Sequence, residues 1–233
     1  MSKRAERVLS AQGCQERPRR KLGILMLDTR FPRPPGDIGH PQTFDELGTD
    51  VIYRIITGAS ARQAVETGDP SLLQPFIEAG LALVGQGAER IGTSCGFLAR
   101  FQQELQSALP VPVLSSALLA CAALDAPGIL TFSAASLTEQ VLAAAGVPDG
   151  TPVEGVTPGC EFHRRIINDD ARMDLAEAER DVVDAALRLV TRHPHLKTIV
   201  LECTNMPVYR ASIEAATGRA TIDLARMLAA DTI

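Results

Sequence analysis

The chain has 233 residues, of which 45% are hydrophobic and 22% are charged, and a formal net charge of −5. This length suffices for one or two compact α/β units with a sizeable buried core. Residues 1–21 carry seven basic and two acidic side chains, so the remainder has a net charge of about −10, which argues against nucleic-acid binding. No apolar run approaches the roughly 18 residues that cross a bilayer. We therefore expect a soluble, cytoplasmic protein with a disordered basic arm at residues 1–21.

The first half of the sequence alternates short apolar runs with amphipathic stretches. The runs at residues 22–28, 51–57 and 90–94 have the length of buried strands. Asp69 followed by Pro70 is typical of a helix N-cap with proline in the first turn, and predicts a helix from there to about residue 83. A second helix is predicted at about residues 97–109.

The second half continues this alternation. Strands are predicted at residues 111–116, 128–133 and 198–203. Ser136 and Glu139 have the spacing of a capping box and predict a helix that Gly146 ends in a left-handed turn. The irregular residues 151–172 predict a long loop, and a helix is predicted over residues 174–192. Helical sequence follows the last strand to the end of the chain.

Strands that alternate with helices predict an α/β fold built from parallel βαβ units. In open parallel sheets, ligands bind at the carboxyl ends of the strands. Asp28, Cys95, Thr131 and Cys203 all lie at such ends. We therefore expect these four side chains to lie around one site.

Two of the five cysteines lie in similar local sequences. ERIGTSCGF and KTIVLECTNMP each contain a short apolar strand, a cysteine at its exit and a following helix, with the cysteines 108 residues apart. A thiol at a strand-to-helix junction lies near free backbone N–H groups, which favour the thiolate. Two opposed thiols can remove a proton from one face of a carbon and return one to the other face.

The other three cysteines are expected to be structural. A free cysteine is among the most commonly buried small residues, and Cys14, Cys121 and Cys160 have no polar surroundings that indicate chemistry. The pair at the strand exits has such surroundings, because hydroxyl groups and exposed amides suit a substrate carboxylate. The residues concerned are Thr93, Ser94 and Gly96 around Cys95, and Thr204 and Asn205 after Cys203.

The segments LMLDT, GTSCGF and LECTNMP resemble those of the cofactor-independent aspartate/glutamate racemase superfamily. The resemblance spans about residues 22–233. It implies two pseudo-symmetric parallel-sheet α/β domains with the active site in the cleft between them, the first formed by residues 22–114 plus 205–233 and the second by residues 115–204. It also implies that no pyridoxal phosphate, metal or other cofactor takes part. Relatives are frequently dimers, so a homodimer is expected.

The resemblance also implies roles for single residues. Cys95 and Cys203 would be the two acid/base thiols, and Asp28 would be the acid at the end of the first strand, close to the first cysteine. Thr204, and Thr131 from the second domain, would contact the substrate carboxylate. The stretch before Cys95 is similar to that of the arylmalonate decarboxylase branch, which keeps only the second cysteine. The presence of both cysteines favours two-sided proton transfer over decarboxylation.

The sequence departs from typical glutamate racemases next to both thiols. Gly96-Phe97 stands where they have Asn-Thr, Thr204-Asn205 where they have Thr-His, and Glu202 where they have a glycine. We predict an isomerase, a racemase or epimerase that acts on an aspartate- or glutamate-like amino acid or a related small carboxylate by two-cysteine proton transfer at Cα. The alternatives are a cysteine-nucleophile isomerase of the maleate isomerase type, and a non-catalytic carboxylate-binding protein on the same scaffold.

Overall fold

The computed structural model describes residues 19–230, which form two four-stranded parallel sheets with flanking helices. The first sheet has the order β2-β1-β3-β4 and the second the order β6-β5-β7-β8. The strands are β1 (Lys21–Leu27), β2 (Asp50–Ile56), β3 (Arg90–Thr93), β4 (Val113–Leu114), β5 (Pro127–Thr131), β6 (Val153–Gly155), β7 (Thr198–Leu201) and β8 (Ala220–Ile222). The predicted α/β class with two parallel sheets is confirmed.

The α-helices are α1 (Pro41–Asp45), α2 (Leu73–Gly85), α3 (Gln102–Ala108), α4 (Glu139–Ala144), α5 (Glu161–Ile167), α6 (Leu175–Arg192), α7 (Arg210–Thr217) and α8 (Leu224–Ala229). Tighter 3₁₀ segments, at Gly96–Phe101, Ala117–Ala123 and Met206–Tyr209, follow three of the strands. No helix within residues 19–230 has both the length and the apolar character that a membrane span needs.

Two side-chain caps lie at predicted helix starts, Asp69 at the 3₁₀ segment Pro70–Leu72 that leads into α2 and Asp174 at α6. The Asp69 carboxylate accepts a hydrogen bond from the Ser71 amide at 2.9 Å, and Asp174 caps α6 in the same way. Gly146 follows α4 with a φ of 66°. The capping box at Ser136 is wrong, because α4 begins only at Glu139 and the Ser136 hydroxyl bonds to Ser133 instead.

The predicted loop at residues 151–172 contains a strand and a helix. β6 has only three residues, too few for a pattern of alternation, and it pairs with β5. In α5 the Glu161 carboxylate is buried and forms ion pairs with Arg164 and Arg165 one turn away. The charged residues in this predicted loop thus form an ion-pair network around a buried carboxylate.

The last part of the chain contacts both sheets. β8 pairs with β7, so the chain stays with the second sheet well beyond residue 205, where the sequence predicted its return to the first domain. The return is made by α8. The Leu228 side chain occupies the space over Gly92, where an added Cβ would lie 2.4 Å from Leu228 Cδ1, and the Leu228 carbonyl accepts a hydrogen bond from Arg90.

Candidate active site

Two thiols, one from each sheet, line the same pocket. β3 ends at Thr93, and Cys95 follows in extended conformation before the 3₁₀ segment Gly96–Phe101. β7 ends at Leu201, and Cys203 follows it. Both cysteines are 8% exposed. The parallel strands of two separate sheets therefore bring together side chains that lie 108 residues apart in the sequence.

The pocket is mostly apolar and holds ≈ 330 Å³ of space between atoms, part of which is open to solvent. Its polar members are Ser94, Thr204, Asn205 and Glu202. The remaining lining residues are Leu27, Phe31, Ala61, Val65, Cys95, Gly96, Phe97, Phe132, Ile166 and Cys203. Among these described residues there is no Lys, Arg or His, so a charged ligand would meet one ionisable carboxyl group and two thiols.

Glu202 is the carboxyl group of the pocket and is fully buried. Its Oε2 atom accepts a hydrogen bond from the Thr131 hydroxyl at 2.8 Å, whereas Oε1 has no hydrogen-bond partner among the described residues. A Cβ added to Gly96 would lie 2.4 Å from Oε1 and 2.2 Å from the Glu202 carbonyl oxygen. The glycine after Cys95 therefore makes room for this carboxyl group.

Burial raises the pKa of all three ionisable groups of the pocket. It raises the pKa of Glu202 to about 7. Burial, and next the charge of Glu202, raise the pKa of Cys95 to about 12. The same two causes raise the pKa of Cys203 well above its ordinary value. Without a ligand, both cysteines are therefore thiols at neutral pH.

A buried polar chain orients Asn205 beside Cys203. The Cys203 thiol donates to Asn205 Oδ1 at 3.5 Å, and Asn205 Nδ2 donates to the Asp37 carboxylate. Asp37 is fully buried and also accepts from Arg33 at 2.9 Å, and Arg33 lies 4.5 Å from the centre of the Phe31 ring. The sequence analysis missed Asp37 and Arg33. Their only signal is a charged pair within a Pro- and Gly-rich loop after the first strand.

The hydroxyl groups near the thiols have different partners. Ser94 lines the pocket while its hydroxyl accepts from the Leu27 amide at 2.9 Å. The Thr204 hydroxyl donates to the Ser94 carbonyl at 2.7 Å and so links the two strand exits. Thr93 does not line the pocket, because its hydroxyl donates to the carbonyls of Ser115 and Cys95. Thr131 acts on the pocket through Glu202 rather than directly.

Asp28 lies outside the pocket, and the expectation that it lies beside Cys95 is corrected here. Its side chain is exposed and its carboxylate accepts from the Gly58 amide at 3.0 Å. The reason is the turn of the chain after β1, which directs residue 28 toward the loop that follows β2 rather than toward β3. Asp37, nine residues further on, is the buried acid that reaches the second cysteine through Asn205.

Two further cysteines belong to the part of the chain that the structure describes, and neither is in the pocket lining. Cys121 is buried in the segment Ala117–Ala123, and Cys160 is half-buried before α5. Cys14 lies outside the described residues. Within residues 19–230, no group of three or more His, Cys, Asp or Glu side chains is arranged to hold a metal ion.

Curated proteins with similar sequences carry one name. A dimethylsulfoniopropionate lyase of Durusdinium sp. clade D is 30% identical over 217 residues, which cover 87% of this chain and 70% of that protein. Dimethylsulfoniopropionate lyase 6 of Emiliania huxleyi (strain CCMP1516) is 32% identical over 216 residues, which cover 84% of this chain and 55% of that protein. The chain thus spans about half the length of the second relative. No family model matches the chain.

Solved structures share the fold at low sequence identity. A doubly substituted arylmalonate decarboxylase in its liganded form has a TM-score of 0.60 at 18% identity, covering 92% of this chain and 94% of that chain. Picrophilus torridus aspartate racemase has a TM-score of 0.54 at 14% identity, covering 90% and 91%. Glutamate racemase from Francisella tularensis, in complex with D-glutamate, has a TM-score of 0.52 at 16% identity, covering 90% and 78%. The fold is that of the aspartate/glutamate racemase superfamily.

Proposed function

The chain belongs to the dimethylsulfoniopropionate lyase family on the fold of the aspartate/glutamate racemase superfamily, and we propose that it is a lyase rather than an isomerase. Its substrate class would be small carboxylates that carry a sulfonium leaving group on the β carbon, as dimethylsulfoniopropionate does. The observation that carries the proposal is the pair of buried thiols in one pocket, because a thiolate there can remove the proton next to a carboxylate.

The reaction is a β-elimination. A cysteine thiolate takes the proton from the carbon next to the carboxylate, so the C–H bond breaks and an S–H bond forms. The electron pair of that C–H bond becomes the carbon–carbon double bond, and the bond from the β carbon to the sulfonium sulfur breaks with its electrons on sulfur. The products are dimethyl sulfide, acrylate and one proton, which passes from the thiol to solvent when the thiolate is restored.

The strand exits offer groups that suit the substrate carboxylate. Residues 94–96 and 203–205 bring backbone groups and the Ser94 hydroxyl to the pocket wall, while the Thr204 hydroxyl already donates to the Ser94 carbonyl. Hydrogen-bond donors at such positions hold a carboxylate and stabilise the additional charge that develops when its neighbouring carbon loses a proton. Apolar side chains fill the rest of the lining and exclude water from the leaving group.

The decisive measurement is the release of dimethyl sulfide from dimethylsulfoniopropionate, followed by headspace gas chromatography. We expect release by the wild-type protein and loss of release in the double variant Cys95→Ser/Cys203→Ser. Cys160→Ser is the matched control, because that half-buried thiol is outside the pocket lining. Release that persists in the double variant would exclude cysteine as the base.

Amino-acid racemisation is the second candidate, and the observation that favours it is the presence of a thiol from each sheet. Inversion needs one acid/base group on each face of Cα. Incubation of aspartate or glutamate enantiomers in heavy water should then give deuterium at Cα and the opposite enantiomer. Deuterium incorporation without dimethyl sulfide release would favour the racemase, whereas release of dimethyl sulfide without inversion would favour the lyase.

A further inference from the structure

The pocket contains a carboxyl group that the removal of a proton next to a carboxylate does not require. A substrate with only a carboxylate would be repelled by Glu202, which is the one ionisable carboxyl group in the described lining. We propose that Glu202 binds the onium cation of the substrate, so that the site selects zwitterionic β-onium carboxylates over carboxylates of the same shape that lack the cation. The inference rests on the proposed function and names the residue that selects the substrate class.

The geometry leaves one buried carboxylate oxygen without a hydrogen-bond partner at the edge of the pocket. Glu202 is fully buried, and Thr131 holds Oε2 while Oε1 has no hydrogen-bond partner among residues 19–230. A buried carboxylate without a cation costs several kcal/mol, which is why burial raises the pKa of Glu202; a positive group against it would stabilise the ionised form. Gly96 lies directly beside Oε1, which places the carboxyl group next to the residue after Cys95.

The rest of the lining suits an onium group, whose charge is surrounded by methyl groups. Such a cation has no N–H or O–H to donate, so it is held by negative charge and by aromatic rings. Phe31, Phe97 and Phe132 all line the pocket. One of them already contacts a cation, because the Arg33 guanidinium lies over the Phe31 ring.

Binding of the cation would also prepare the thiols for reaction. The charge of Glu202 is the second cause, after burial, of the raised pKa of both Cys95 and Cys203. A sulfonium group against Glu202 offsets that charge, so the pKa of each thiol falls when the substrate is bound. A substrate that lacks the cation would leave the thiols protonated.

The affinity should depend on pH through the ionisation of Glu202. The titratable groups around it are the two thiols, and the more distant charges that act on those thiols are Arg33, Arg100 and Asp37. Because the pKa of Glu202 is about 7 in the empty pocket, the ionised fraction rises about tenfold between pH 6 and pH 8. The affinity for an onium ligand should rise by a similar factor, whereas the affinity for the carboxylate isostere that lacks the cation should not rise.

The test compares two ligands of one shape by isothermal titration calorimetry at pH 8. The probes are 3-(trimethylammonio)propionate, whose amine leaves less readily than a sulfide, and 4,4-dimethylpentanoate, its carbon isostere, which keeps the carboxylate but lacks the cation. We expect the wild type to prefer the onium ligand by about tenfold or more, and Glu202→Gln to lose the preference while it keeps its hydrogen bond from Thr131. Glu104→Gln removes an exposed carboxylate as the control and should leave the preference unchanged.

The outcomes separate the two proposals. Equal wild-type affinity for both ligands, no binding of the onium ligand, or an unchanged preference in Glu202→Gln would each overturn the role of Glu202. The pH dependence of wild-type binding provides the same test without a variant, should Glu202→Gln fail to fold. Preferential binding of the onium ligand without release of dimethyl sulfide would support this inference and reject the lyase.

Discussion

The two strand exits that form the pocket have the same backbone plan but different side chains. At the first exit, small residues flank Cys95, and the hydroxyls of Thr93 and Ser94 bond to backbone groups. At the second exit, Cys203 lies between two buried polar side chains, Glu202 and Asn205. The first exit thus provides space and the second provides charge and hydrogen bonds. This asymmetry suits an elimination, which needs one base, better than an inversion, which needs two matched ones.

The largest expected effect is the loss of activity when one of the two thiols is replaced. For the lyase, replacement of the base by serine should lower kcat/KM for dimethylsulfoniopropionate by about 10³-fold or more, whereas replacement of the other cysteine should cost about tenfold. Steady-state kinetics of Cys95→Ser and Cys203→Ser measures both. Equal and complete losses would instead indicate matched bases and an equivalent role for the two exits.

The polar chain behind Cys203 should be the most sensitive part of the second exit for stability. Asp37→Asn removes the charge that Arg33 faces and leaves a largely buried guanidinium without its counter-ion. We expect the free energy of unfolding in urea to fall by about 3 kcal/mol. Asp28→Asn is the control and should change it by less than about 0.5 kcal/mol, because Asp28 is exposed. Similar losses for the two variants would contradict the placement of Asp28 outside the site.

The pH dependence of stability should report the buried carboxyl group. Folding raises the pKa of Glu202 from 4.5 to about 7. The resulting stabilisation is fully present below pH 4.5 and is lost as the pH rises toward 7, because only the protonated form is favoured by burial. The difference in unfolding free energy between Glu202→Gln and the wild type should therefore change by about 3 kcal/mol in favour of the variant from pH 4.5 to pH 7, and should level off above that range. Parallel urea titrations of the two proteins across this range provide the check, and a constant difference would contradict the burial of an ionisable Glu202.

The contact between the two exits should be broken by a single methyl group. In Gly96→Ala the new Cβ would meet the Glu202 carbonyl oxygen at 2.2 Å, and backbone atoms cannot give way cheaply. We expect a loss of about 1–3 kcal/mol in unfolding free energy. Gly85→Ala is the control, since no atom lies within 4 Å of its added Cβ, and it should be close to neutral. Thermal denaturation of both variants would reveal whether the exits are in contact.

Local sequence signals were sufficient for the elements that depend on local physics. Buried strands, the Asp69 cap and the two strand-exit cysteines follow from apolar runs and from short-range hydrogen bonds. β6 and β8 were missed, because strands of three residues are too short for periodicity and exist only through their pairing with β5 and β7. The helix α5 was missed because its charged residues pair with one another around a buried carboxylate.

The site was less accessible to sequence analysis than the fold. The importance of Glu202 depends on Gly96 and Thr131, which are distant in the chain and contact it only after both sheets have formed. Asp37 reaches Cys203 through Asn205, again across a long sequence separation. Asp28 has the right position in the sequence, but the local turn directs it elsewhere. Such contacts depend on tertiary structure. Residues at strand ends therefore indicate where a site lies, but they do not show which side chains belong to it.

The return of α8 to the first sheet has a consequence for dividing the protein. Since Leu228 fills the space above Gly92, a fragment cut between the two sheets would lack the cover of its own central strand and would present an apolar groove to solvent. A split version of this protein would need residues 224–229 grafted onto the first fragment. The same groove is exposed during synthesis, because the amino-terminal half emerges from the ribosome long before α8, the helix that covers it.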